Sequence, residues 1–175
     1  MSTVHRWFRC DASAVFEVLA DGWLYPTWVV GAARMRDVDR AWPQPGARLR
    51  HSVGTWPLLL DDTTSSVEWQ PPRRMVMRAR GWPIGEARVE IDVAPRDGGC
   101  VVRMREYAER GPARLVPGLL ADLALGPRNR ETLRRLASLA EGRASESHAA
   151  GTVGSDAAAT LAADPLPGQA GVDSV

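Results

Sequence analysis

Between Ala32 and Arg110, apolar and polar residues alternate in short runs separated by turn residues. In the run from Glu86 to Val93, Ala87, Val89, Ile91 and Val93 fall on one side; Glu86, Arg88, Glu90 and Asp92 fall on the other. Successive strand side chains point to opposite faces, so this run predicts a strand with one buried and one wet face. The run from Arg74 to Arg80 repeats the pattern, with Met75, Met77 and Ala79 opposite Arg74, Arg78 and Arg80. Pro43-Gln-Pro-Gly46, Trp56-Pro57, Gln70-Pro-Pro-Arg73, Trp82-Pro-Ile-Gly85 and Pro95-Arg-Asp-Gly-Gly99 punctuate the runs. Their spacing predicts an antiparallel meander of about six strands.

The flanks have a different period. Thr3 to Cys10 reads as a first strand, and Val15, Phe16, Val18 and Leu19 form the stripe of a short helix ending at Gly22. A second short helix around Trp23 to Val30 groups Trp23, Tyr25 and Trp28. Near the other end, Leu115, Leu119, Leu120 and Leu123 recur at helical spacing, as do Leu133, Leu136, Ala137 and Ala140. Gly126-Pro127 lies between them and predicts a kink or break in one long helical region, a simple bend or a gate. From residue 143 the chain is rich in Ala, Gly, Ser and Asp, without an aromatic side chain. Such composition predicts a folded domain over 1–142 and a disordered tail over 143–175.

Composition narrows the chemistry. All 22 basic side chains are arginine. Without lysine, Schiff-base chemistry, pyridoxal phosphate anchoring and a Walker-type phosphate loop are excluded. An all-arginine set fits the codon usage of a GC-rich bacterial genome. Cys10 and Cys100 are the only cysteines, and His5, His51 and His148 are scattered, so no metal site is expected. No apolar run reaches the ~18–20 residues of a membrane span, and Met1 to Arg9 lacks a signal core. A soluble, cytoplasmic protein with reduced thiols is expected. From Ala144 on the chain holds Glu146, Asp156, Asp164 and Asp173 and no arginine, which leaves +5 on residues 1–143. That excess, with a pI near 7.9, does not point to nucleic acid.

The element order is a strand, two short helices, a meander and a long helix. A one-faced sheet must cover its apolar side, and only the last helix is large enough to do so. A curved sheet cannot touch one helix along its whole length, and the gap is a natural small-molecule site. The expected class is therefore α+β, a curved antiparallel sheet of about seven strands wrapped around a long C-terminal helix. Three segments carry a resemblance to a known family: Cys10-Asp-Ala-Ser-Ala-Val-Phe-Glu-Val-Leu-Ala-Asp21, Val67-Glu-Trp-Gln-Pro-Pro-Arg-Arg-Met-Val-Met-Arg78, and Asn129-Arg-Glu-Thr-Leu-Arg-Arg-Leu136. Over residues 3–141 the chain resembles the SRPBCC superfamily, the START-related and birch-allergen-like helix-grip domains that include polyketide cyclase/dehydrase-like proteins. The resemblance implies binding of a lipid, polyketide or other hydrophobic molecule, with cofactor-free cyclase or dehydrase activity in some members. It also makes the first and last strands neighbours, bringing Cys10 near Cys100 as free thiols. A rival reading is a protein-interaction or membrane-recruitment module acting through the Arg-rich surface, its protein partner unknown.

Alternation selects the candidate ligand residues. With Arg48 and Arg50 on the wet face, Leu49, His51, Val53 and Thr55 point inward; with Arg103 and Arg105 outside, Val102, Met104 and Glu106 point inward. His51 and Glu106 are the catalytic candidates, an imidazole and a carboxylate able to pass a proton. The simpler reading of each, and the preferred one, is a polar cavity residue satisfied by a neighbour or by water. Trp28, Met35, Met77, Val89, Ile91, Leu119 and Leu123 complete an adaptable apolar lining. Trp23, Trp56 and Trp69 are further aromatic candidates, with Trp69 assigned to the core. In Asp61-Asp62-Thr-Thr-Ser-Ser66, Thr63 and Ser65 are read as inward with Val67, and the adjacent carboxylates as pointing to opposite faces, unsuited to a metal.

Overall fold

The alternating runs form strands, and the two apolar stripes at the ends form helices. The computed structural model describes residues 1–162 except 56 and 82–84; the side chains of 55, 58, 81, 118, 119, 121 and 148–162 also lie outside the described residues. The elements are β1 (Ser2–Phe8), α1 (Ala12–Ala20), a 3-10 turn (Gly22–Leu24), α2 (Tyr25–Trp28), β2 (Ala32–Val38), β3 (Arg48–Thr55), β4 (Leu58–Gln70), β5 (Arg74–Gly81), β6 (Gly85–Arg96), β7 (Gly99–Arg110), a second 3-10 turn (Pro112–Leu115) and α3 (Gly118–Ala162). All strand pairs are antiparallel, in the order β1-β7-β6-β5-β4-β3-β2. This is the expected seven-stranded helix-grip architecture.

The buried face follows the alternation. Met75, Ile91 and Met104 face one another across β5, β6 and β7 in register and are almost fully buried. They join Phe8, Val15, Phe16, Val18 and Leu19 and the Leu133, Leu136, Ala137 and Ala140 stripe of α3 in one core cluster. Trp69 packs on Phe16 with ring centroids 5.0 Å apart, as its core assignment requires. Glycine is needed where β5 returns into β6: Gly85 has φ +122°, and a Cβ there would lie 2.0 Å from the Arg110 carbonyl oxygen.

On the outer face, arginines meet carboxylates rather than open water. Arg74 contacts Glu68, Glu90 and Asp92 at 3.3, 3.3 and 2.5 Å, and Arg105 reaches Glu90 at 2.6 Å. Arg103 adds Asp92 at 3.1 Å, and Arg78 adds Glu109 at 2.7 Å. The surface expected to be rich in positive charge is therefore largely neutralised over β5–β7.

The helical region differs from expectation at its start and in two of its leucines. The helix expected from Leu115 starts at Gly118, and α3 runs through Pro127 as the one long helical region expected, without a break. Proline removes only one backbone donor, and the turns on either side keep theirs. Helical backbone also continues beyond residue 142 to Ala162, a stretch in which alanine, the best helix former, is frequent. Residues Met1–Ala144 and Ser145–Val175 form two separate units, and 163–175 lie outside the described residues. Finally, Leu120 and Leu123 are 55% and 67% exposed instead of facing the sheet.

Cys10 and Cys100 are buried, and their thiols interact with each other as free groups. Burial, and then Cys100, pushes the Cys10 thiol up to about 12, so it is uncharged and unreactive at neutral pH.

The two leucine stripes of α3 should behave differently on truncation. Leu136→Ala, at a fully buried position, is expected to cost about 2–5 kcal/mol in urea unfolding. Leu123→Ala should stay within about 0.5 kcal/mol. Equal shifts of the two midpoints would contradict the packing described here.

Candidate functional site

The core ends at Thr132, one helical turn before Leu136. Beyond it α3 and the curled sheet separate, leaving a cavity of about 360 Å³. Tyr25, Trp28 and Val29 form one wall, and Leu125, Arg128 and Thr132 of α3 another. The sheet supplies His51 and Val53, Asp62 and Thr64, Met77 and Ala79, Ala87 and Val89, and Met104, Glu106 and Ala108, from β3 to β7 in turn. These are the inward-pointing residues of each strand, so one face of the sheet builds most of the site.

Two hydrogen-bonded polar groups interrupt a mainly apolar wall, which Asp62, Arg80, Glu86 and Tyr107 also border. In the first, Thr64 Oγ1 lies 3.0 Å from the Tyr25 hydroxyl and 3.0 Å from His51 Nε2. The Tyr25 and His51 rings stack with centroids 4.9 Å apart, and Tyr25 also meets Trp28 edge-on at 5.4 Å. His51 is 2% exposed, and its Nδ1 has no hydrogen-bond partner among the described residues. Burial, with a smaller contribution from Arg36, pushes His51 down to about 4. At neutral pH the imidazole is therefore uncharged and weakly basic. Tyr25 is pushed up to about 12, chiefly by burial, and stays protonated.

In the second group, Arg128 donates to the Glu106 carboxylate and, at 3.2 Å, to Asn129 Oδ1. Glu106 and Asn129 are buried, while Thr132 accepts the Val30 N–H at 3.2 Å and ties α3 to the chain after α2. A carboxylate held this way is a fixed polar landmark in an otherwise apolar wall.

The structure places Trp28, His51, Val53, Met77, Val89, Met104 and Glu106 on the cavity. His51 and Glu106 do not form the expected pair: three strands separate β3 from β7, and each side chain has its own partner. The carboxylate opposite His51 is Asp62, in register on β4. Burial holds the Asp62 carboxyl above its usual range, against its own hydrogen bond from the Thr63 N–H and the pull of Arg80.

Thr63 and Ser65 fall on the outer face, and Asp62 and Thr64 take the inner positions. A bulge between Ser66 and Glu68 inverts the parity counted back from Trp69. Met35 packs against the core, and Ile91 is fully buried in it; neither lines the cavity. Leu123 points to solvent, while the side chain of Leu119 and Trp56 lie outside the described residues, as does the side chain of Thr55. Trp23 is 60% exposed.

Arg128 and Thr132 escaped notice in the sequence, although the signal was present. Stepping back by four from Leu136 gives Thr132 and then Arg128, so the helical stripe itself turns polar toward the cavity. Among the described residues, no cluster of three His, Cys, Asp or Glu side chains could hold a metal, and no helix is long and apolar enough to cross a membrane.

The sequence and the fold both match known proteins. Residues 2–141 match the family described as polyketide cyclase/dehydrase and lipid transport. The chain belongs to this family. The aromatase/cyclase StfQ from the steffimycin biosynthetic pathway superposes with a TM-score of 0.64 at 17% identity, covering 82% of this chain and 51% of that di-domain protein. A protein from Rhodobacter sphaeroides gives 0.62 at 21% identity, over 78% of this chain and 89% of its own. Ara h 8.0201 gives 0.62 at 10% identity, over 79% and 95%. No curated protein matches the chain in sequence. At these identities the solved structures establish the shared fold.

Two outcomes follow from the site's charges. Because His51 is depressed when folded, the unfolded chain binds a proton first as pH falls below about 6.5. Stability present at pH 7 should therefore be lost between pH 6.5 and about 4, by roughly 3 kcal/mol, in urea titrations. In His51→Phe that loss should be absent; an unchanged pH profile would contradict the burial argument. Separately, Arg128→Leu strands the Glu106 charge and should cost about 2–3 kcal/mol, below the range for a fully buried pair because Arg128 is partly exposed. Adding Glu106→Gln should recover part of that loss in thermal or urea unfolding.

Proposed function

We propose that this protein binds a small, mainly apolar molecule in the cavity, a lipid or a polyketide-like aromatic, and orients it by a polar end. The carrying observation is a 360 Å³ space with a mainly apolar wall in which two hydrogen-bonded groups, Tyr25–Thr64–His51 and Glu106–Arg128, are held in place, with Asp62, Arg80 and Glu86 also on its border. That volume lies within the ~300–1,000 Å³ of small-molecule sites. Membership of a family that includes cyclases and lipid transporters supports the same reading.

Binding is favoured over proton-transfer catalysis. A general base works best with a pKa near the working pH, and His51 sits near 4. Glu106 is engaged by Arg128 and is not paired with His51. Cyclase or dehydrase activity is the second reading, supported by the family and by the position of both side chains on the cavity. Recruitment through the Arg-rich outer face has less support, since Arg74, Arg78, Arg103 and Arg105 there are matched by carboxylates.

Native mass spectrometry of protein purified from its source should show a bound small molecule. Ala87→Trp, which places an indole in the cavity, should abolish that added mass and weaken binding of anilinonaphthalene sulfonate at least tenfold. Absence of both bound mass and dye binding in the unaltered protein would overturn the proposal. Turnover of a polyketide substrate that drops in His51→Ala and Glu106→Gln would establish the catalytic reading instead.

A further inference from the structure

Within residues 1–144, carboxylates either meet a cation or stand in water, with one exception. Glu68, Glu90, Asp92 and Glu109 are ion-paired on the outer face, and Glu106 pairs with Arg128 inside. Asp11, Glu17 and Asp97 make no ion pair among the described residues, and all three are exposed. The exception is Asp62. It borders the cavity, is half-buried, and makes no ion pair among the described residues. Its Oδ1 accepts the Thr63 N–H at 2.7 Å, while its Oδ2 accepts no hydrogen bond among the described residues.

Its surroundings do not supply the missing cation. His51 stands opposite Asp62 in the β3–β4 register and is uncharged at neutral pH. Tyr25 keeps its proton and bonds to Thr64. Arg128 is turned to Glu106, and Glu86 on the same border is met by Arg78 and Arg110 at 3.8 Å. Arg80 also borders the cavity, but it is exposed and does not come within ion-pair distance of Asp62. Burial accordingly holds the Asp62 carboxyl up in spite of Arg80. A carboxylate withdrawn from water without a cation is costly, and a bound cation removes that cost.

We propose that Asp62 receives a protonated amine, so that the ligand of this cavity is an apolar molecule carrying a cationic amino group. The ammonium N–H donates to Oδ2 in a charge-assisted hydrogen bond, and the apolar body lies along Met77, Val89 and Met104. The neutral state of His51 fits this role, because an imidazolium opposite Asp62 would take up the carboxylate's charge and repel the amine. A carboxylate in place of the amine would meet Asp62 as a like charge, so the same residue selects against acidic ligands. The inference rests on the cavity as a ligand site and adds the charge of the ligand's polar end.

The test compares three probes that share a naphthalene ring, by titration calorimetry of the full chain at neutral pH. They are naphthylmethylamine, which is protonated, neutral naphthylmethanol and anionic naphthylacetate. The amine should bind about tenfold or more tightly than the alcohol, the margin of one hydrogen bond to a charged group. The acid should bind more weakly than the alcohol. Asp62→Asn should bring amine and alcohol to within about twofold of each other, the charge being gone. Asp97→Asn, at an exposed and unpaired carboxylate, should leave the margin in place. The three-probe comparison uses the unaltered protein and so decides even where Asp62→Asn fails to fold. Equal binding of amine and alcohol overturns this inference alone, because the alcohol then shows that the cavity takes apolar molecules. Tightest binding of the acid also overturns it and assigns the preference to Arg80. So does a margin that survives Asp62→Asn. Failure of all three probes to bind overturns the cavity as a ligand site together with the inference.

Discussion

The contact of Leu133, Leu136, Ala137 and Ala140 with the inner face of the sheet is what the rest of the molecule depends on. These positions are essentially without solvent exposure and belong to the same cluster as Phe8, Val15, Ile91 and Val102. Removing that apolar surface from water holds a long helix against a sheet that curves away from it. Close packing does not continue beyond this patch, where the stripe turns from aliphatic to polar. The next side chains on the same stripe are Thr132, Arg128 and Leu125, and they border space rather than core. The cavity is thus a consequence of where the aliphatic stripe stops. Thr132 and Arg128 still secure the helix there, through Val30 and Glu106.

Separation of charge between the two faces of the sheet supports this arrangement. Outside, Glu90 is 7% exposed beneath Arg74, Arg88 and Arg105. Burial alone would raise its carboxyl, but the Tyr107 hydrogen bond and the nearby Arg105 and Arg74 outweigh that and hold it low. The long arginine stems also cover apolar surface: Val76, in register with Glu90, is fully buried. Inside, Glu106 is paired with Arg128, and Asp62, Arg80 and Glu86 border the cavity. Most of the ion pairs over β5–β7 thus stay on the face away from the core.

The strands were readable because one face is wet and the other dry, so Arg88, Glu90 and Asp92 marked the inside by exclusion. That logic placed His51, Met77, Val89, Met104 and Glu106 on the inner face. It failed on β4, where one extra residue between Ser66 and Glu68 exchanged Thr63 and Ser65 for Asp62 and Thr64. A bulge leaves no mark in composition. The same logic concealed Arg128, because arginine marks water on this sheet but lines the cavity from the helix. Leu123 misled in the opposite direction: helical spacing identifies a stripe but not what the stripe faces.

The chemistry open to the cavity depends on its occupant. Desolvation is the largest influence on His51, and a bound molecule changes desolvation most. A wholly apolar ligand would displace any remaining water and drive the imidazole further from protonation, leaving recognition as its only role. A ligand that brought an anionic oxygen to the stack of Tyr25 and His51 would act in the other direction. It would favour the imidazolium and lift the group toward the range in which general acid–base catalysis is efficient. Glu106 cannot supply that anion, since three strands separate β7 from β3 and Arg128 of α3 already neutralises it. Asp62, opposite His51 in register and itself held up by burial, is the side chain nearest in sequence register to such a role. Under the binding reading proposed above, the charge of the bound molecule would decide whether His51 can take up a proton.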